Sequence, residues 1–373
     1  MRILIATVTA GAGHLQAAAA LEEAWRALRP DDVVEKVDLL NYVPRLQRKA
    51  YANGYTRFVE HAPELWGLLF RKTDNASLLR KLTRFRRLFA RQTNRRFVRF
   101  LLSFRPDAVL STHFLPVEVL GHVKSKSTDH APFSVCVITD FEAHALWMEP
   151  SVDRYCVAAK ETKASLVARG VPPERILVTG IPIAKKFSAS LQPKTIRKAC
   201  GLRDDLRIVL VLGGGFGMGP VGEILTSLEQ VQTPMQTVVV TGRNEKLRQE
   251  LACRTYRHPT KVLGFVTNMH ELMAIADLIV TKPGGLTTSE AMALGKPLVI
   301  LNPIPGQETA NSDFLLEHGA AGKVNRVDDL PYKVEQLLGS KQLAAMAKSA
   351  KALGKPSAAE EICQEAIRCL AAP

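Results

Sequence analysis

Apolar runs of three to six residues recur along the chain, and most of them end in a glycine or a small polar residue. "RILIAT", "DAVLST", "FSVCVITD", "RYCVAA" and "ILVTG" mark the first half; "RIVLVLGGG", "QTVVVTG", "VLGF", "LIVT" and "PLVIL" mark the second. Runs this short, apolar on both faces and closed by turn residues, predict strands buried within a sheet. Helical stretches separate them, so each half reads as alternating strand and helix, which predicts mostly parallel sheets with crossover helices. The fold class is therefore α/β, with two doubly wound, Rossmann-like domains facing across a cleft. The first is expected over 1–189 and the second over 190–373. Their join lies near the polar "KKFSASLQPKTIRKACGL", and the helical tail from about residue 357 is expected to return to the first domain.

In open parallel sheets ligands bind beyond the carboxyl ends of the strands. Those ends carry the polar residues here. His14 closes "AGAGH" after the first strand, His113 follows "DAVLST", and Asp140 and His144 follow "FSVCVIT". A lone histidine more often caps a helix or fills a core, but the shared placement at strand ends selects His14 as a chemical residue. Gly217, Gly219 and Gly222 spell G-x-G-x-x-G, yet the match starts beyond the strand end, contains Pro220 and lacks the acidic residue that a dinucleotide site requires. No P-loop motif is present. "GGGFGMG", which includes Gly215, reads instead as a backbone cradle for phosphate oxygens. "LIVTKPGGLTTSEAMALGKPLVIL" predicts strand, turn, helix and strand, with the turn Pro283-Gly284-Gly285 aiming N–H groups and a helix dipole above the sheet. An anion belongs there.

At 373 residues and 46% hydrophobic content the chain is long enough for two ordinary cores. No apolar run reaches the length of a membrane span, and "MRILIATVTAGAGH" leads from a strand into a turn rather than to a signal-peptide cleavage site, so a cytoplasmic protein is expected. The six cysteines are scattered without a C-x-x-C pair, which suggests neither a disulfide framework nor zinc. A formal charge of +14 and a pI near 9.6 call for an anionic partner. The charge is concentrated between Arg80 and Arg105, where ten basic residues and no acidic one, Arg84, Arg86, Arg87 and Arg91 among them, alternate with Leu82, Phe85, Phe89, Phe97, Phe100 and Phe104. That pattern reads as a basic amphipathic segment suited to an anionic membrane surface; a solvated helix over a core stripe is the plainer reading, and nucleic acid is the less favoured partner. Trp66, Leu68, Leu69 and Phe70, just before it, are candidates to line an acyl entrance.

"TAGAGHLQAAAAL", "TDFEAHALWMEPSVDRYCVAA", "TGIPI" and "GFVTNMHELMAIADLIVTKPGGLTTSEAMALGKPLVILNPIPGQETAN" resemble the GT-B glycosyltransferases of the monogalactosyldiacylglycerol synthase and processive diacylglycerol glucosyltransferase group. The likeness implies an inverting transferase that moves a hexose from a UDP-sugar to diacylglycerol at the cytoplasmic face of the membrane, with the UDP-sugar as substrate and no cofactor. It also implies where the donor sits. Backbone groups of Phe265 and Val266 meet the uracil, Glu290 accepts from the ribose hydroxyls, and Gly284, Gly285 and Leu286 face the diphosphate, with Gly13 and Gly215 contributing to the donor site. Gln307, Glu308 and Asn311 grip the hexose. Thr287 and Glu290 also have the spacing of a capping box, which would leave Glu290 closing its own helix. No D-x-D motif is present, so no metal is expected. An inverting transfer needs a base for the acceptor hydroxyl, and His14 is chosen, with Asp140 as its competitor or its orienting partner. His113, His144 and Trp66 belong to the acceptor side. Neighbouring chemistries share these motifs: N-acetylglucosamine transfer to a polyprenyl-linked precursor, sugar-nucleotide epimerisation, or a basic binding module with a vestigial donor site. Glucose against galactose, and the number of sugars added, stay open.

Overall fold

The computed structural model describes residues 1–9, 11–44, 48, 62–75, 77, 81–82, 94–125, 131–214, 219–301 and 303–371. They form two compact units. The first comprises Met1–Lys185, Ile304–Gln307 and the chain from Lys355 onward, and the second Lys186–Pro303 with Glu308–Gly354. Each contains one six-stranded sheet in which every pairing is parallel.

The first sheet uses β1 (Arg2–Thr7), β2 (Val33–Asp38), β3 (Ala108–Ser111), β4 (Phe133–Val137), β5 (Arg154–Val157) and β6 (Ile176–Val178) in the order β2-β1-β3-β4-β5-β6. The chain starts at β1, steps outward to β2, and then reverses to β3, so the switch point lies between β1 and β3. There the register sets Ala6 beside Ser111. Side chains of β1 alternate between two cores, as the pleat requires. Ile3 and Ile5 join Leu21, Trp25, Val135 and Val137 on one face, while Leu4 and Ala6 join Leu39, Leu40, Phe97, Leu101 and Leu120 on the other. The C-terminal helix Ala358–Ala371 packs on the first-strand side against the helix Ala12–Leu28, sinking Ile362, Cys363 and Ala366 into that core. The helix Arg95–Phe104 closes the other face with Phe97, Leu101 and Phe104 and leaves Arg95, Arg96 and Arg99 in solvent. That part of the basic segment is thus a core stripe under a solvated face. Arg84, Arg86, Arg87 and Arg91 lie outside the described residues.

The second sheet uses β7 (Arg207–Leu212), β8 (Met235–Val240), β9 (Thr260–Leu263), β10 (Leu278–Thr281), β11 (Leu298–Leu301) and β12 (Ala321–Val324) in the order β12-β11-β10-β7-β8-β9. Its switch point lies between β7 and β10. Val209, Val211, Leu278 and Val280 are fully buried on one face and Ile208, Leu210, Ile279 and Ile300 on the other, as expected of a sheet covered on both faces. The hydrophobic runs predicted ten of the twelve strands. The two that they did not predict, β2 and β12, are sheet edges, where "VVEKVD" and "AGKV" mix polar residues into the run. An edge strand has a neighbour on one side only, and its sequence need not be uniformly apolar.

The C-terminal helix sinks Ile362, fully buried, into the core beneath the helix Ala12–Leu28, so Ile362→Ala should destabilise the protein by about 2–5 kcal/mol. Urea unfolding of wild type and variant measures it, and a loss below about 0.5 kcal/mol would mean that the tail is dispensable to the first unit.

Candidate active site

The first unit gathers its polar groups at the switch point of its sheet. After β1 the chain turns at Gly11, whose φ of 95° suits glycine, and His14 enters in the first turn of the helix Ala12–Leu28. β3 delivers Thr112 beside it. The His14 Nδ1 lies 2.8 Å from Thr112 O and 3.0 Å from Thr139 Oγ1. A carbonyl oxygen can only accept, so Nδ1 carries the hydrogen and Nε2 keeps its lone pair. The Thr112 hydroxyl, 2.9 Å from Thr7 Oγ1 and 3.0 Å from His14 O, ties both strand ends to the helix. Burial pushes the His14 imidazole below its ordinary pKa; the Asp140 carboxylate and the Thr112 carbonyl work in the opposite direction. A neutral ring at pH 7 with a bare Nε2 can take a proton.

The neighbouring histidines are used differently. His113 is the N-cap of the helix Phe114–Lys124: its Nδ1 accepts from Leu115 N at 3.1 Å, which places its hydrogen on Nε2. Its ring stands edge-on to His14, centroids 4.8 Å apart, and burial, with the repulsion that a protonated His14 would add, holds it well below the usual histidine range. His144 caps the short turn Ala145–Trp147 through Nδ1, and its Nε2 lies 3.0 Å from Phe70 O. It fastens the helix Pro63–Thr73 to the loop after β4. Asp74 strengthens that attachment, accepting from Arg169 Nη1 and Nη2 at 2.6 and 3.0 Å and from Ala145 N at 2.7 Å.

These elements enclose a cavity of about 340 Å³. Trp66, Leu69, Phe70, Phe114, Leu146 and Trp147 supply its apolar wall, and His14, Thr73, His113, Asp140, Glu142, His144 and Gln307 line the rest. An apolar chamber with a base at one end suits a molecule that is mostly hydrocarbon and carries a hydroxyl. The helix Pro63–Thr73 also presents apolar side chains to solvent: Leu65 and Leu68 are 50 and 41% exposed, and Leu69, at the edge of the cavity, is 43% exposed, followed by the exposed Arg71 and Lys72.

In the second unit the turn after β10 leads into the helix Gly285–Ala293, whose N-cap is Gly284 with no side-chain cap. Thr287 therefore sits inside the helix, and the capping-box reading of Glu290 does not hold. Gly284 N–H donates back to Lys282 O at 2.9 Å, so Gly285 and Leu286 are the first residues whose N–H groups have no preceding helical carbonyl. Glu290, half-buried one turn further on, has its carboxyl pushed up to about 8 by burial, which the Lys186 ammonium partly offsets. Lys186 Nζ donates to Thr267 O at 2.9 Å, in the loop that carries Phe265 and Val266. Phe265 is 61% exposed with the Arg243 guanidinium 5.5 Å from its ring centre. Asn311, expected on a sugar, is fully buried, and its Nδ2 donates to Pro283 O at 3.0 Å, steadying the turn. Glu308 is half-buried beside it.

The expected residues thus fall into two groups. His14, Gly13, Asp140, His113, His144, Trp66 and Gln307 lie in the first unit; Phe265, Val266, Gly284, Gly285, Leu286, Glu290, Glu308 and Asn311 lie in the second. Gly215 lies outside the described residues. Sequence reasoning did not single out Thr112, which orients His14, nor Phe114 and Trp147, although all three adjoin histidine-bearing motifs. Lys186, lodged in the join, gave no signal. Among the described residues no group of three or more His, Cys, Asp or Glu is placed to hold a metal ion, and no helix is long and apolar enough to cross a membrane.

Residues 14–183 match the monogalactosyldiacylglycerol (MGDG) synthase family and residues 193–353 match the glycosyl transferases group 1 family. A processive diacylglycerol beta-glucosyltransferase of Bacillus pumilus is 30% identical over 98% of this chain and 94% of its own length. Among solved structures, Acinetobacter baumannii MurG is similar with a TM-score of 0.64 at 16% identity, covering 98% of this chain and 99% of that one. Anabaena HepE in complex with UDP-glucose gives 0.56 at 15% identity, covering 99% of both. These neighbours share the two Rossmann-like domains of the GT-B fold.

The hydrogen bonds assign opposite tautomers to two touching rings. Long-range ¹H–¹⁵N spectra at pH 7 should show His14 neutral with its hydrogen on Nδ1 and His113 neutral with its hydrogen on Nε2. A His14 signal protonated at Nε2 would remove the basis for treating it as a base.

Proposed function

The chain belongs to the MGDG synthase and processive diacylglycerol beta-glucosyltransferase family, and from that premise we propose how its two units divide the transfer of a hexose from a UDP-sugar to diacylglycerol. It is a UDP-sugar-dependent hexosyltransferase that makes a glycolipid. We assign the lipid to the first unit, with the acyl chains along Trp66, Phe70, Phe114 and Trp147 and the glycerol hydroxyl at His14. The nucleotide belongs to the second unit, with uracil at Phe265 and Val266, ribose at Glu290 and diphosphate at Gly285 and Leu286. The relatives' name favours glucose as the sugar and a β-linked product, hence inversion when the donor is α-linked.

The observation that carries this reading is the His14 Nδ1 bond to Thr112 O, which leaves Nε2 to act on the cavity. As the glycerol oxygen attacks C1, its proton passes to Nε2. The bond from C1 to the diphosphate breaks, and UDP departs with the electron pair. Asp140 steadies the imidazolium that forms, as its charge already favours the protonated ring. The helix dipole and N–H groups at Gly285 and Leu286 meet the growing leaving-group charge without the need of a metal. The exposed leucines of the helix Pro63–Thr73, with Arg71 and Lys72 beside them, support docking on an anionic membrane at its cytoplasmic face, aided by the basic residues beyond it.

His14→Ala should lower kcat by about 10²–10⁴ while leaving the Kd for UDP within about twofold. Near-normal turnover with diacylglycerol would transfer the role of base to Asp140. Activity should persist in EDTA; a loss restored only by magnesium or manganese would overturn the metal-free leaving group. Glu290 gives a pH signature. Its carboxyl is protonated in the free protein until about 8, whereas ribose hydroxyls donating to it favour the ionised form and pull its pKa down. UDP affinity should therefore rise as pH climbs toward that value, by up to about tenfold for each unit that the complex lowers the pKa. Calorimetry on Glu290→Gln should lose that portion of the pH dependence, and parallel curves for wild type and variant would place the ribose elsewhere.

A further inference from the structure

A glycine in the middle of a helix costs about 1 kcal/mol relative to alanine, and Gly67 occupies that position in the helix Pro63–Thr73. It is buried, while Leu65, Leu68 and Leu69 around it are exposed. The occupant of the space beside it is the loop Ile304–Gln307, which belongs to the first unit although its sequence neighbours belong to the second. A Cβ at Gly67 would meet Pro305 Cβ at 2.7 Å. One turn further along the same helix face, Phe70 is met in the same way: a Cβ at Gly306 would lie 2.8 Å from its Cγ and Cδ1, and Gly306 has a φ of 100° that only glycine adopts without strain. Two glycines, one on each side, thus let the loop lie flat on the helix.

Gln307 follows directly and lines the cavity with Trp66 and Phe70. We infer that Gly67 is a positioning residue for the sugar: by leaving room for Pro305 it sets where Gln307 stands relative to the acceptor cavity. The inference rests on the reading of Gln307 as a hexose-binding residue. A proline ring carbon next to the backbone cannot swing aside as the tip of a long side chain does, so a methyl group at 67 displaces the loop by several tenths of an ångström. Misplacement on that scale is enough to cost about 10- to 100-fold in transfer. The helix itself would tolerate alanine better than glycine, so the loss would arise from the loop and not from unfolding of the helix.

The test is steady-state kinetics of the full-length chain with UDP-glucose and a short-chain diacylglycerol, on wild type, Gly67→Ala, Gly67→Ala with Pro305→Gly, and Gln307→Ala. Gly67→Ala should raise KM for UDP-glucose at least about tenfold, keep the inhibition constant of UDP within about twofold, and keep the melting temperature at or above that of wild type. The double variant, which removes the opposing Cβ, should recover most of the loss. An unchanged KM in Gly67→Ala, an inhibition constant for UDP that rises in step with KM, or a double variant no better than the single one would overturn the inference. Gln307→Ala separates the two levels: an unchanged KM there would overturn the hexose reading and the inference with it, whereas a raised KM there with a normal Gly67→Ala would overturn the inference alone.

Discussion

One hydrogen bond, from His14 Nδ1 to the Thr112 carbonyl, connects the fold of the first unit to its chemistry. It depends on topology: the helix that follows β1 and the loop that follows β3 are neighbours because the chain reverses direction between those strands. The backbone carbonyl dictates the tautomer, and the tautomer decides which nitrogen is available. No side chain has to be ionised to hold it, so the ring stays neutral in a buried place where a charge would be costly. The remainder of the cavity supports this arrangement. His113 and His144 give their Nδ1 atoms to backbone caps, and His144, Asp74 and Arg169 fasten the walls of the cavity around His14.

In the second unit burial acts on a carboxyl group. At its own switch point a helix starts on glycines with no side-chain cap, which leaves backbone dipoles for an anion, and Asn311 secures the turn from below. Glu290 is kept protonated by the same desolvation that keeps His14 neutral. Burial thus favours the uncharged form of both groups in the free protein, and in the proposed function each would gain its charge from a substrate: the carboxylate beside ribose hydroxyls, the imidazole with the departing alcohol proton.

The sequence made the sheets legible because strands covered on both faces must be apolar throughout; it concealed β2 and β12 because an edge strand need not be. It showed where histidines cluster but not which nitrogen each one spends on the backbone, since that depends on distances across the sheet. The Thr287 and Glu290 spacing suggested a cap, and only the actual helix start at Gly285 removes it. The arrangement of "PGQ" was also out of reach. In sequence Gln307 belongs with Glu308 and Asn311, yet the loop from Ile304 packs with the first unit through two glycines that read as ordinary turn and helix residues. Close approach of backbones is a property of two segments distant in sequence, and neither segment announces it alone.

The central claim is that neutral His14 takes the acceptor proton, and the pH dependence of kcat/KM for diacylglycerol tests it most directly. The free-enzyme profile should rise through an apparent pKa below the ordinary histidine value of about 6.5 and be level through neutrality. The downward displacement follows from the burial of the ring. A profile whose limb lies at or above the ordinary histidine value, or one whose limb is unchanged in His14→Ala, would contradict the account and assign the proton to another group, Asp140 first.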